Sequence, residues 1–235
     1  MTDEKNFRWL PRTLLLSWVL VCGQQLVAGH FVADHALDFP ALIAPPPAAD
    51  SLVTRAELDV VLQLQELRTP ALAKRAQEIE GETLFGFAAD VVGPWFKAES
   101  LPKTAALFAA VREDFIPVNR ASKAVWPRQR PPYADARVKP CVEYSDSGSY
   151  PSGHGIQSAL WAALLAELMP DHAAAFQSRA LETRRMKLFT GVHYPSDLEA
   201  GRIVGEALAR EMLKSPVLQQ ALAGARTEIA AAARY

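Results

Sequence analysis

No convincing alternating strand of five or more residues appears anywhere in this chain, so the sequence offers no clear half-buried strand from which to build a sheet. Apolar residues recur instead at three- and four-residue spacing, punctuated by prolines. Thr54-Arg55-Ala56-Glu57 reads as a capping box opening a helix with Leu58, Val61 and Leu62 on its apolar face, stopping before Pro70. A second helical stretch follows to about Val92 and is broken by Gly93-Pro94. Pro102 fits a first helical turn, and Ala105, Leu107, Phe108 and Val111 continue that helix. Further helices are expected from about Gly155, with Ile156, Leu160, Ala163, Leu164 and Leu168 on one side, over roughly 171–188, from near Pro195, and after Pro216. Gly201 and Gly205, four apart, allow a close helix approach. The expected fold is all-α, a single compact helical domain.

The first 29 residues are set apart. Lys5, Arg8 and Arg12 precede an apolar run over 14–21 and small residues at Val27-Ala28-Gly29, the layout of a secretory signal peptide cleaved after Ala28 or Gly29. The run is too short for a membrane span. Val21 is too large for the lipobox that Cys22 would require. The expected organisation is a signal peptide over 1–29, an extended arm over 30–50 around Pro45-Pro46-Pro47, and a helical domain over 51–235, in the periplasm or outside the cell. With the leader removed, Cys141 has no intrachain partner. A net charge of −1 gives no support for nucleic-acid binding.

Three segments carry chemistry. In Gly191-Val192-His193-Tyr194-Pro195-Ser196-Asp197, proline opens a helix, so His193 lies in the preceding turn and Asp197 in the first turn. A carboxylate there can take a hydrogen bond from one ring nitrogen and leave the other as a nucleophile. The same segment also reads as an ordinary helix start in which Ser196 and Asp197 favour the dipole. In Gly148-Ser149-Tyr150-Pro151-Ser152-Gly153-His154, a turn leads into a helix whose exposed N–H groups suit an anion, with His154 at its edge as a proton donor. The plain alternative is a helix start whose histidine caps or packs. Lys123, Arg128 and Arg130 crowd the approach to an irregular segment over 126–148 and could hold an anion together, or form a solvated basic loop.

Taken in order, Lys123-x6-Arg130-Pro131, Pro151-Ser152-Gly153-His154 and His193-x3-Asp197 resemble the three-part signature of the PAP2 (type 2 phosphatidic acid phosphatase) superfamily. Residues 148–154 and the proline arm are similar to those of the secreted bacterial class A non-specific acid phosphatases. The resemblance implies a PAP2/haloperoxidase-like helical bundle that hydrolyses small phosphomonoesters without a metal or other cofactor. It implies that His193 attacks phosphorus to form a phosphohistidine, Asp197 orients it, and His154 protonates the leaving alcohol. Lys123, Arg130, Ser152 and the Gly153 amide would bind phosphate. Relatives of this kind are commonly homo-oligomers.

The chain departs from the pattern at Met186 and Lys187, where the family's third motif begins Ser-Arg. Lysine keeps the charge but loses the bidentate fork. Losing one transition-state donor costs on the order of 2–4 kcal/mol. Arg184, one helical turn earlier, is expected to substitute in part, and Lys187 itself remains a phosphate-binding candidate. Gly155 stands where class A members usually carry threonine. The alternatives are a degenerate phosphate-binding protein with little turnover, supported by Met186 and Lys187, and a vanadium-dependent haloperoxidase, which shares the architecture and anion pocket. Haloperoxidases are much longer and generally carry arginine at the position of Lys187.

Overall fold

The computed structural model describes residues 30–33 and 36–233; the leader expected over 1–29 lies outside the described residues. Among them are ten α-helices and no strand, in keeping with the lack of a convincing strand pattern in the sequence. Helix α1 (Phe39–Leu42) is a single turn, with Asp38 accepting from the Ala41 amide. It interrupts the arm expected to be extended. From Ile43 the chain is extended, and it is pinned at both ends of the proline run. The Tyr150 hydroxyl donates to the Ala44 carbonyl at 2.5 Å, and Thr54 Oγ1 donates to the Ala48 carbonyl at 2.8 Å.

Helix α2 (Leu52–Glu66) starts three residues earlier than expected, because Ser51 rather than Thr54 caps it and accepts from the Thr54 amide at 3.1 Å. The stretch up to Val92 is two helices, α3 (Pro70–Glu80) and α4 (Leu84–Val92), divided at Gly81 and restarted by a Thr83 cap. Helix α5 (Pro102–Val125) begins at its proline as anticipated. The irregular segment 126–148 contains one helical turn, α6 (Pro131–Ala134). Helices α7 (Gly153–Leu168), α8 (Ala173–Phe189), α9 (Pro195–Met212) and α10 (Pro216–Ala232) complete the chain, within two residues of the starts read from the sequence.

Helix α7 is the centre of the bundle. It is buried on nearly every side, from Ile156, Ala159 and Leu160 to Leu164, Leu165 and Leu168, as expected of a helix apolar all round. It packs chiefly on α9 and α8, while α10 lies on α5 and α3 on α8. The main core gathers Phe87, Phe96, Leu107, Leu160, Leu165, Phe176, Leu208 and Leu222; a smaller cluster joins Ile43, Tyr150, Ile156 and Val204 near the arm.

The α7–α9 contact depends on glycine. A Cβ at Gly205 would lie 2.3 Å from the Ile156 carbonyl oxygen, and one at Gly201 would lie 2.6 Å from that of Ser152. Without side chains there, the two helix starts come close enough for the Ser152 amide to donate to the Asp197 carbonyl at 2.8 Å. Gly205→Ala should therefore destabilise the chain by about 1–3 kcal/mol, the usual cost of overpacking. Gly224→Ala, on α10 with only Lys103 Cδ at 4.0 Å, should leave stability equal or raise it by up to about 1 kcal/mol. Urea unfolding of both variants measures the contrast.

Candidate active site

His193 sits in the turn between α8 and α9. Gly191 makes that turn with φ +78°, a conformation L side chains rarely adopt. Pro195 then opens α9, which puts Asp197 at its third position, where the carboxylate reaches back to the Tyr194 amide at 2.9 Å. The same Oδ2 faces His193 Nδ1 at 3.3 Å. On the other side of the ring, Arg130 Nη1 lies 3.2 Å from Nε2. A guanidinium can only donate, so Nε2 is the accepting, unprotonated nitrogen and Nδ1–H points to Asp197. This is the tautomer expected of an oriented nucleophile. His193 is 3% exposed and Asp197 0%. Burial drives the imidazole strongly toward its neutral form, further than Asp197 draws it back. Burial also opposes the charge of Asp197, but His193, Arg128 and the Tyr194 amide outweigh it and hold the carboxyl below its usual range.

The expectation that Arg128 shares an anion with Lys123 and Arg130 is corrected. Its Nη1 donates to Asp197 Oδ1 at 2.8 Å and to Ser196 Oγ at 2.8 Å, and its Nη2 donates to Glu57 Oε2 at 2.7 Å. The guanidinium lies 3.9 Å over the Tyr194 ring. Glu57, read from the sequence only as part of a cap, is buried and accepts from the Ser196 amide at 2.7 Å. It thus satisfies a donor at the start of α9 from across the fold.

The remaining basic groups face the histidine turn and the start of α7. Arg130 Nε donates to the Ser145 and Ser147 carbonyls at 3.2 and 3.1 Å, and Nη1 to the Val192 carbonyl at 3.1 Å. Lys123, in the last turn of α5, donates to the Gly148 and Pro151 carbonyls, each at 2.8 Å. Burial, helped by the Arg130 charge, pushes its ammonium down to about 8. Ser152 caps α7, its hydroxyl accepting from the Gly155 amide at 3.3 Å, and Gly153 opens the first turn against Asn119. His154 follows, its Nε2 at 3.2 Å from the Glu80 carbonyl.

Lys187, in the last turn of α8, is buried and pairs with the Glu80 carboxylate. Burial first, then Lys187 and Arg130, lower the His154 pKa, and the same two cations act on His193. Both histidines therefore lie in one positive field made by Arg130 and Lys187. Arg184 does not fill the role expected of it. Its charged neighbours are Arg202, Glu199 and Glu206 on α9. Glu80, which no local pattern marked, is the residue that touches both His154 and Lys187.

Removing Arg128 would strand two buried carboxylates, so Arg128→Met should cost about 3–5 kcal/mol in urea unfolding. Arg202→Met, which breaks partly exposed pairs with Glu199 and Glu206 on one helix, should cost less than about 1 kcal/mol.

The chain that carries this arrangement is similar to known proteins. The family model described as PAP2 superfamily matches residues 103–220, a span that contains all three motifs. An acid phosphatase from Zymomonas mobilis is 30% identical over 184 residues, covering 74% of this chain and 67% of that protein. Non-specific acid phosphatases from Salmonella typhi and Providencia stuartii are each 26% identical, over 83% and 84% of this chain and 82% and 83% of their own. A transmembrane PAP2 type phosphatidylglycerolphosphate phosphatase from Bacillus subtilis shares the fold, with a TM-score of 0.52 at 21% identity over 75% of this chain and 90% of that one. Among the described residues here, no helix is long and apolar enough to cross a membrane. With its signature segments assembled around one buried histidine, the chain belongs to the PAP2 superfamily.

Proposed function

We propose that this protein is an acid phosphatase that hydrolyses small phosphomonoesters through a phosphohistidine on His193, and that it acts in the periplasm or outside the cell. The observation that carries the reading is the line Asp197–His193–Arg130, in which a neutral imidazole turns its unprotonated Nε2 toward a guanidinium suited to a phosphate oxygen. The Zymomonas, Salmonella and Providencia relatives, named acid phosphatases, support the phosphatase part of the reading.

In this mechanism the substrate's anionic phosphate settles among Arg130, Lys123, Lys187 and the first amides of α7, with Ser152 and Gly153 at the helix start. His193 Nε2 attacks phosphorus while the ester P–O bond breaks, and Asp197 stabilises the imidazole as it gains positive charge. His154 gives its proton to the departing alcohol oxygen. It then takes a proton from water, which attacks the phosphohistidine and releases inorganic phosphate. The cations around the equatorial oxygens stabilise the charge that spreads there in the transition state. Lys187 supplies one of these charges without a fork, so turnover is slower than with arginine at that position. The export expected from residues 1–29 supplies the location.

The pH dependence has a definite sign. His154 must be protonated to act as an acid, and burial together with Lys187 lowers its pKa from 6.5. His193 must be neutral, and burial favours that form. The acid form of His154 is lost as pH rises through its lowered value, so activity falls with rising pH. Hydrolysis of p-nitrophenyl phosphate without added metal should have kcat/KM highest on the acid side of 6.5 and falling toward neutrality. His193→Ala should lower it at least about 1000-fold, and Lys187→Arg should raise kcat roughly tenfold. A rate that climbs from pH 6 to pH 9, or that survives His193→Ala, contradicts the mechanism.

A further inference from the structure

The last residue of α3 bears on the site in two ways. The Glu80 carboxylate pairs with Lys187, and the Glu80 carbonyl faces His154 Nε2 at 3.2 Å. Its charge is also felt at Arg130 and His154. Lys187 is 1% exposed, whereas the Glu80 side chain is 36% exposed. The residue whose carbonyl faces the imidazole thus pairs its partly exposed carboxylate with Lys187, and the charge of that carboxylate reaches the ring.

Resting on the reading of His154 as the group that protonates the leaving oxygen, the leaving alcohol lies on the side of the site that Glu80 borders. We propose that Glu80 is a specificity-determining residue, selecting phosphomonoesters whose leaving alcohol is neutral or cationic and rejecting those with a second anionic group close to the ester oxygen. The phosphate end of every such substrate carries the same charge and meets the same cations. Competition between Glu80 and phosphate for Lys187 therefore weakens all substrates alike and cancels from a ratio. Repulsion between Glu80 and the leaving group does not cancel. Like charges brought together at an incompletely solvated site discriminate strongly, and a factor of about ten is the expected scale.

The test compares ethyl phosphate with phosphoglycolate, whose carboxylate sits one carbon from the ester oxygen. The wild-type protein and Glu80→Gln are assayed for kcat/KM on both, and the ratio within each protein removes differences in overall rate. The preference for ethyl phosphate should shrink about tenfold in Glu80→Gln and persist in Glu80→Asp. In the wild type it should narrow as salt is raised, a readout that needs no substitution. Calorimetric affinities for ethylphosphonate and phosphonoacetate, which cannot be hydrolysed at an ester bond, should show the same change of ratio. Ratios equal within twofold in wild type and Glu80→Gln overturn the proposal, even where hydrolysis is normal. A shifted affinity ratio without hydrolysis of either ester supports it and overturns the phosphatase reading instead. Failure to bind either phosphonate, together with no hydrolysis of either ester, overturns both.

Discussion

The carboxylate of Asp197, buried at the start of α9, holds together parts of the chain that would otherwise be independent. Its Oδ2 faces His193 Nδ1 and accepts from the Tyr194 amide, its Oδ1 accepts from Arg128, and its backbone carbonyl accepts from the Ser152 amide. A lone buried carboxylate would be driven toward its neutral form, and only this number of donors keeps it ionised. The dependence runs both ways. Arg128 is itself buried and is held by Glu57 from α2, which also satisfies the Ser196 amide. The orientation of one imidazole therefore rests on a chain of ions that runs back to a helix remote in sequence.

Glycine makes that arrangement reachable. Gly155, Gly201 and Gly205 let α7 and α9 approach until backbone meets backbone, which brings the segment carrying His154 beside the one carrying His193. The two motifs lie on different helices, and neither forms a site alone. Helix packing gives the site its shape, and the buried cations give it its charge.

Much of the architecture was legible because prolines fix where helices can begin. Pro70, Pro102, Pro195 and Pro216 each occupy the first position of a helix. The break at Gly81 was not legible, since the periodicity on its two sides runs nearly in phase, and Ser51 was overlooked because Thr54-x-x-Glu57 imitates a cap. At the site, His193 with Asp197 could be read from a four-residue spacing on one turn. Arg128 and Arg130 could not be told apart by residue type or setting, as basic residues two apart in an irregular segment; the resemblance singled out Arg130, and the fold turns Arg128 to Asp197 and Arg130 to His193. Glu57 and Glu80 act on residues 71 and 107 positions away, and no local pattern encodes such a partner.

The chemistry therefore turns on one atom, His193 Nε2, left unprotonated by Asp197 on one side and faced by Arg130 on the other. The most direct test is to denature the wild-type protein in alkali during steady turnover of a phosphomonoester and locate the phosphoryl group by peptide mass spectrometry. One phosphoryl group on the peptide containing His193, attached at the ring nitrogen and absent once substrate is exhausted, is the predicted result. A phosphoryl group on any other side chain, or sustained turnover with none on the protein, contradicts the account.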